Sequence, residues 1–241
     1  MIPQTPPDTV LYAIGDIHGR LDLLAEIHDR IAADAPRRAA QHKVVVYLGD
    51  YVSRGMDSRA VVERTRNWLP EGFARVTLKG NHEDLLLRFL GGDLDAGRYW
   101  FDYDGLDALT HYGVTVHDRK IRDNASVATL RARFAEALPQ SHLEFFRSLA
   151  ISHRAGSYCF VHGGVRPGVP LAEQSDHDCM WIREIFLDSQ DDHGAVIVHG
   201  HSISEQPVVR HNRIGIDTGA SHSGILTCLV LEGRSRNFLQ T

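Results

Sequence analysis

Five times in 241 residues, an apolar run ends on carboxylate, amide or imidazole side chains. The first instance sets the pattern. Val10, Leu11, Tyr12, Ala13 and Ile14 read as a buried strand, and Leu21, Leu24, Ile27 and Ile31 then recur at helical spacing. Between them lies Gly15-Asp16-Ile17-His18-Gly19. Asp16 and His18 therefore fall on a strand-to-helix turn, at the edge where ligands gather in open α/β sheets. One such turn is common and often only caps a helix; its repetition is what constrains the fold. Residues 43–48 read as a second strand ending at Gly49-Asp50, and 74–78 as a third ending at Gly80-Asn81-His82. Residues 57–68 have helical spacing and stop before Pro70. This β-α-β-α-β order predicts a parallel sheet.

From Glu83 to about Leu149 the pattern becomes helical, with breaks at Gly91-Gly92 and Gly113. Tyr99, Trp100, Phe101 and Tyr103 cluster within it, either as a small satellite core or as a substrate-facing wall. We read this stretch as an excursion over one edge of the site within a single domain spanning 1–241. Beyond it, short β segments are expected at 158–161, 195–198, 207–210, 213–216 and 225–231, with a turn at His211-Asn212 and one helix near 181–187. The expected architecture is α/β, with two facing mixed sheets flanked by helices.

The remaining ligand-type residues follow the same rule: His162 ends one run, and His199 and His201 end another. Carboxylate, amide oxygen and imidazole together suit Mn²⁺, Fe or Zn²⁺ rather than a thiolate-loving ion. Asp50 is centrally placed to bridge two cations. With Asn81 supplying no charge, such a pair keeps a net positive charge that attracts phosphate. Other classes are disfavoured. A net charge of −5 gives no basic footprint for nucleic acid. Three scattered cysteines fit neither a disulfide framework nor a zinc cage and suit a reducing compartment. No signal peptide and no apolar run of membrane-spanning length is evident, so the expected location is the cytoplasm and no membrane partner is expected.

The blocks GDIHG (15–19), GDYVSRG (49–55), GNHE (80–83), HGG (162–164) and GHS (200–202) resemble the calcineurin-like metallophosphoesterases. With Trp-Ile-Arg at 181–183 and Ile-Asp-Thr-Gly-Ala at 216–220, they look most like the bacterial branch of the PPP-type serine/threonine protein phosphatases. The resemblance implies an αββα sandwich and a site with two divalent cations, Mn²⁺ first. It puts Asp16 and His18 on one cation, Asp50 between both, and Asn81, His162 and His201 on the second. His199 stays outside that set, and Asp217 is read as a supporting or turn residue. Arg54 matches the family's phosphate-clamping arginine. Arg183 is either a second clamp or a partner for Glu184 or Asp178. His82 is the implied general acid, and a metal-activated water is the implied nucleophile for in-line attack on phosphorus.

One position departs from that pattern. Ser53 stands where the protein phosphatases carry an aspartate that supports the histidine matched by His82. Losing that charge weakens acid assistance and favours substrates with good leaving groups. The substrate is therefore expected to be a phosphoprotein or a small phosphoester. Serine/threonine phosphoprotein hydrolysis is the first reading and symmetrical dinucleoside-tetraphosphate hydrolysis the alternative. A non-catalytic binding module on the same fold is the reading from another class.

Overall fold

The computed structural model describes residues 2–241. The first half runs β1 (Thr9–Ile14), α1 (Leu21–Asp34), β2 (His42–Tyr47), α2 (Ser58–Asn67) and β3 (Phe73–Thr77). Five helices follow: α3 (Asn81–Leu90), α4 (Leu94–Asp102), α5 (Gly105–His111), α6 (Asn124–Ala137) and α7 (Gln140–Ser148). The second half comprises β4 (Ser152–Ala155), β5 (Tyr158–Val161), α8 (Asp176–Trp181), α9 (Glu184–Leu187), β6 (Val196–His199), β7 (Val208–Val209), β8 (Arg213–Gly215), α10 (Ala220–Ser223), β9 (Thr227–Glu232) and β10 (Ser235–Gln240).

Two mixed five-stranded sheets result, ordered β10-β9-β1-β2-β3 and β4-β5-β6-β8-β7. The expected parallel pairing holds: β1 runs beside β2 with Thr9 opposite His42, and β2 beside β3 with Lys43 opposite Phe73. Side-chain alternation in β1 divides the core. Val10, Tyr12 and Ile14 join the helix-side core with Leu24, Ile27 and Ile31. Leu11 and Ala13 face the other way and pack with Phe160, Val198 and Ile214 between the sheets. A third apolar layer, including Val161, Cys179 and Phe186, closes the outer face of the second sheet. All three cysteines are free and buried.

Four local expectations are revised. The strands β4 and β10 were not expected, because Ser152-His153-Arg154-Ala155 and the polar, half-exposed residues of β10 offer no apolar run. Both are sheet edges, where half the pattern faces water. The helix expected at 181–187 is two short helices interrupted at Ile182-Arg183. The aromatic cluster of residues 99–103 is mostly helical, and it divides rather than forming a small core of its own. Trp100 and Phe101 are buried in the helix-side core, whereas Tyr99 and Tyr103 stay exposed.

No described helix is long and apolar enough to cross a membrane. The inter-sheet layer carries the pairing of the two halves, so Phe160→Ala, which empties a fully buried position there, should cost about 3–5 kcal/mol. Urea denaturation of the variant beside the parent chain measures that loss.

Candidate active site and metal centre

The loops that end β1, β2, β5, β6 and β8 meet at one edge of the two sheets and are tied by backbone. The Ile17 and His18 amides donate to the Asp50 carbonyl at 3.1 and 2.8 Å, and Gly19 donates to Tyr51 at 3.0 Å. Gly200 donates to the His162 carbonyl at 2.8 Å. Glu83, fully buried on the first turn of α3, accepts from the amides of Gly80, Asp50, Tyr51 and Val52 at 3.1, 2.9, 2.9 and 3.3 Å. Under these ties five non-glycine residues of the site adopt left-handed backbone: His18, Asp50, Ser53, Arg54 and His201, with φ of 46°, 51°, 72°, 61° and 61°. Such conformations persist only where the surroundings over-determine them, and they concentrate at functional sites.

Asp50 is the hub. Its Oδ2 lies 3.3 Å from His18 Nε2, 3.4 Å from His162 Nε2 and 4.0 Å from His82 Nε2. His18 Nδ1 sits 2.9 Å from the Val52 carbonyl and His162 Nδ1 3.0 Å from the Leu48 carbonyl. A carbonyl only accepts, so each Nδ1 carries a proton and each Nε2 is turned toward the carboxylate, as in metal-ligating histidines. Asn81 Oδ1 is 2.9 Å from His162 Nε2. Asp16 Oδ2 accepts from the His201 amide at 3.0 Å, while Asp16 Oδ1 and His201 Nε2 are buried with no partner. Two groups with converging donor atoms emerge, His18-Asp50-His82 and Asp50-His162-His201, sharing Asp50.

The charges respond to this crowding. Burial opposes ionisation of Asp50, yet His162, His82 and His18 hold it well below the usual carboxylate range. Burial likewise opposes the His162 cation, but Asp50 and Asp16 raise it to about 10. Burial and the neighbouring Asp217 push Asp16 well above its ordinary value. Burial lowers His201 to about 2 and His82 to about 3. Asp50 held ionised, beside His82 and His201 that burial keeps neutral, is a donor set suited to cations.

Asp16, His18, Asp50, Asn81, His82 and His201 floor a cavity of about 460 Å³ whose lining also includes Arg54, Arg183, Tyr99, Tyr103, Trp181 and Asp217. A model of the calcineurin-like phosphoesterase family matches residues 9–223. The chain belongs to that family. A relative in Halalkalibacterium halodurans, an asymmetrical bis(5'-nucleosyl)-tetraphosphatase, is 26% identical over 223 residues, 90% of this chain and 87% of its own length. A symmetrical bis(5'-nucleosyl)-tetraphosphatase of Dechloromonas aromatica is 30% identical over 156 residues, 65% of this chain but 44% of that protein. Among solved structures, a candidate diadenosine tetraphosphatase superposes with a TM-score of 0.64 at 18% identity, covering 98% of this chain and 95% of its own. The cold-active protein-tyrosine phosphatase of a psychrophilic Shewanella superposes with a TM-score of 0.56 at 19% identity, covering 99% and 84%. At those identities the structures speak for the fold.

Of the six candidate ligands, His18, Asp50, His162 and His201 fall in these two groups, with His82 completing one of them; Asn81 adjoins through His162 and Asp16 through the His201 amide, and these nitrogen and oxygen donors could hold divalent cations of the Mn²⁺, Fe or Zn²⁺ type. The unpartnered Asp16 Oδ1 and His201 Nε2 are atoms such cations would satisfy. His199 points elsewhere: its Nδ1 is 3.0 Å from the Gly200 carbonyl and its ring packs on Phe186. Asp217 lines the cavity and accepts from the Gly219 amide at 2.9 Å, which is a turn contact. Arg54 lines the cavity with Asp104 4.0 Å away. Asp178 is occupied by Arg166 at 2.7 Å, and Arg183 makes no ion pair among the described residues. The break between α8 and α9 brings Arg183 to the cavity instead.

Four residues of the site carry roles that the sequence did not assign. Glu83 entered only as the last letter of GNHE, and the glycines of GNHE and GHS only as motif letters. A Cβ at Gly80 would collide with Asp50 Oδ1, and one at Gly200 with Asp16 Oδ1. These positions must lack a side chain so that each carboxylate can approach. Trp100, in the buried part of the aromatic cluster, donates its indole N–H to Ser53 Oγ at 2.9 Å. Among the described residues Ser53 makes no hydrogen bond to His82, whose Nδ1 is buried without a partner.

Gly200→Ala and Glu83→Gln should each lower Mn²⁺ affinity about 10–100-fold, the usual effect of disturbing groups that orient ligands. Titration calorimetry on the metal-stripped variants checks this, with circular dichroism confirming that both fold.

Proposed function

We propose that this phosphoesterase hydrolyses a dinucleoside polyphosphate at a centre of two divalent cations, most readily Mn²⁺. The observation that carries the reading is the hydrogen bond from Trp100 to Ser53 Oγ. It turns the side chain at the position where a carboxylate would support His82 toward Trp100, and His82 Nδ1 is buried without a hydrogen-bond partner. A serine alkoxide is a poor leaving group and needs a well-supported acid. A nucleotide phosphate departs as a stabilised anion and needs little proton assistance. The 26% identical asymmetrical bis(5'-nucleosyl)-tetraphosphatase, matched over most of both chains, supports the same substrate class. This reverses the order expected from the motif blocks alone.

When bound, the cations would supply an activated water and the charge that holds phosphate oxygens for in-line displacement. The chain's own side chains do the rest. Asp16, His18, Asp50, Asn81, His162 and His201 hold the centre. Arg54 and Arg183, from separate loops of the same cavity, grip phosphate oxygens through planar guanidinium groups suited to bidentate contact. His82, anchored by its backbone N–H to Asp50 Oδ1 at 3.1 Å, is the residue placed to hand a proton to the departing oxygen, and because burial keeps its ring largely neutral that assistance is weak.

Serine/threonine phosphoprotein hydrolysis is the second reading, favoured by the GNHE, Trp-Ile-Arg and Ile-Asp-Thr-Gly-Ala blocks. A non-catalytic binding module has less support, because both arginines and all six metal-type side chains are present around one cavity.

The deciding experiment compares kcat/KM on diadenosine tetraphosphate and on a phosphoserine peptide after Mn²⁺ loading. A preference for the dinucleotide is expected; a preference for the peptide overturns the reading. Two molecules of ADP as product mark symmetrical cleavage, and AMP with ATP marks asymmetrical cleavage. Ser53→Asp should raise the peptide-to-dinucleotide ratio by about tenfold or more, a fraction of what general acid catalysis supplies. Aspartate tolerates the left-handed backbone at this position, so the substitution is sterically reasonable.

A further inference from the structure

One rim of the phosphate cavity is aromatic and comes from two distant parts of the chain. Tyr99 lies on the last turn of α4, Tyr103 directly follows that helix, and Trp181 ends α8. The Tyr99 and Tyr103 rings are 4.9 Å apart, and Tyr99 is 5.9 Å from Trp181. Trp181 in turn stacks on His177 at 6.1 Å with 18° between planes. This strip borders the same cavity as Arg54 and Arg183.

The exposure is selective. Tyr99 and Tyr103 are 45% and 44% exposed, while Trp100 and Phe101, between them in sequence, are buried. The i,i+4 spacing of the two tyrosines puts both on one side. Two large rings held open beside a phosphate site offer flat π surface to a ligand. The tyrosine hydroxyls face each other at 3.4 Å, so the strip offers surface rather than a set of hydrogen-bonding groups that would read one base edge.

We infer that the Tyr103-Tyr99-Trp181 strip is a stacking site for a nucleobase of the substrate, with its phosphates directed to Arg54 and Arg183. The inference rests on the dinucleoside polyphosphate reading and deepens it. Aromatic rings stack any base, because every base has a π face, and each such contact contributes substantially to binding. Adenine and guanine dinucleotides should therefore be accepted alike. The cavity volume of about 460 Å³ is within the range of small-ligand sites.

The test is equilibrium binding by calorimetry on the Mn²⁺-loaded chain. The ligands are non-hydrolysable methylene phosphonate analogues of AMP and of ribose 5-phosphate, which differ only by the base. The parent chain should bind the AMP analogue about tenfold or more tightly, in line with one stacked base. A Tyr99→Leu/Tyr103→Leu double variant, which keeps apolar bulk and removes the rings, should lose that preference. A Tyr99→Phe/Tyr103→Phe variant should retain it. Equal binding of the two analogues by the parent chain, or an undiminished preference in the leucine variant, overturns the inference. So does phenylphosphonate binding as tightly as the AMP analogue, which would assign the strip to a simple aryl phosphate. A base preference without turnover of diadenosine tetraphosphate would uphold the stacking site while refuting the proposed reaction. Turnover without the base preference would do the reverse.

Discussion

The structure of the site depends on one buried carboxylate that is not itself a ligand. Glu83 accepts backbone N–H groups from Gly80 and from three consecutive residues of the loop after β2, Asp50, Tyr51 and Val52. Buried amides must find partners, and here one side chain provides for four. Burial and the nearby Asp50 raise Glu83 to about 7, so the arrangement is electrostatically expensive. What it secures is the left-handed backbone at Asp50, Ser53 and Arg54. Without that turn, Asp50 would not stand between His18 and His162, and Arg54 would not reach the cavity. The loop after β1 hangs on the same turn through the amides of Ile17, His18 and Gly19. The convergence of the metal-type side chains is thus a consequence of how two strand ends are fastened together.

The legibility of the sequence follows from the same physics. Strands buried on both faces must be continuously apolar, so β1, β2, β5, β6 and β9 announce themselves, and the polar residue after each run marks a sheet edge. The candidate ligands were readable for that reason. Edge strands have no such obligation: β4 and β10 pass as loops because water satisfies one face. The chain break at Arg183 was hidden because Trp181, Ile182, Ile185 and Leu187 fit a single helical pattern, whereas only tertiary packing shows that the backbone turns between α8 and α9. Glu83 was visible as a letter but not as a role. Its partners are amides, and amides leave no trace in a sequence.

Position 53 shows how a single departure from a family pattern is absorbed. The Ser53 amide donates to Ser58 Oγ at 3.1 Å, and its hydroxyl accepts from Trp100. Ser58 Oγ in turn lies 3.0 Å from His111 Nδ1. Each group has a neutral partner, so the position is satisfied without charge. Asp16, Asp50, Glu83 and Asp217 already place four buried carboxylates around the site. A fifth at position 53 would add repulsion among them, and it would add negative charge beside a cavity that must accept phosphate. For a substrate carrying several phosphates and a stable leaving group, a neutral hydroxyl costs little acid catalysis and avoids that repulsion.

The helix that satisfies Ser53 also faces the substrate cavity, and this couples the two properties. On α4, Trp100 points inward to the loop after β2, while Tyr99 lies on the cavity rim. The orientation of the helix is fixed by the burial of Ala96, Gly97, Trp100 and Phe101, and a Cβ at Gly97 would strike the Phe89 ring of α3. Any shift that moved Tyr99 would therefore drag the indole away from Ser53 and leave a buried hydroxyl and a buried N–H without partners, a penalty typically of about 1–3 kcal/mol for each. The helical excursion thereby ties the loop after β2 and the cavity rim together. A shift of α4 as a body is therefore felt at Ser53 and at the cavity rim together, whereas replacing an exposed rim side chain leaves the Trp100–Ser53 hydrogen bond in place.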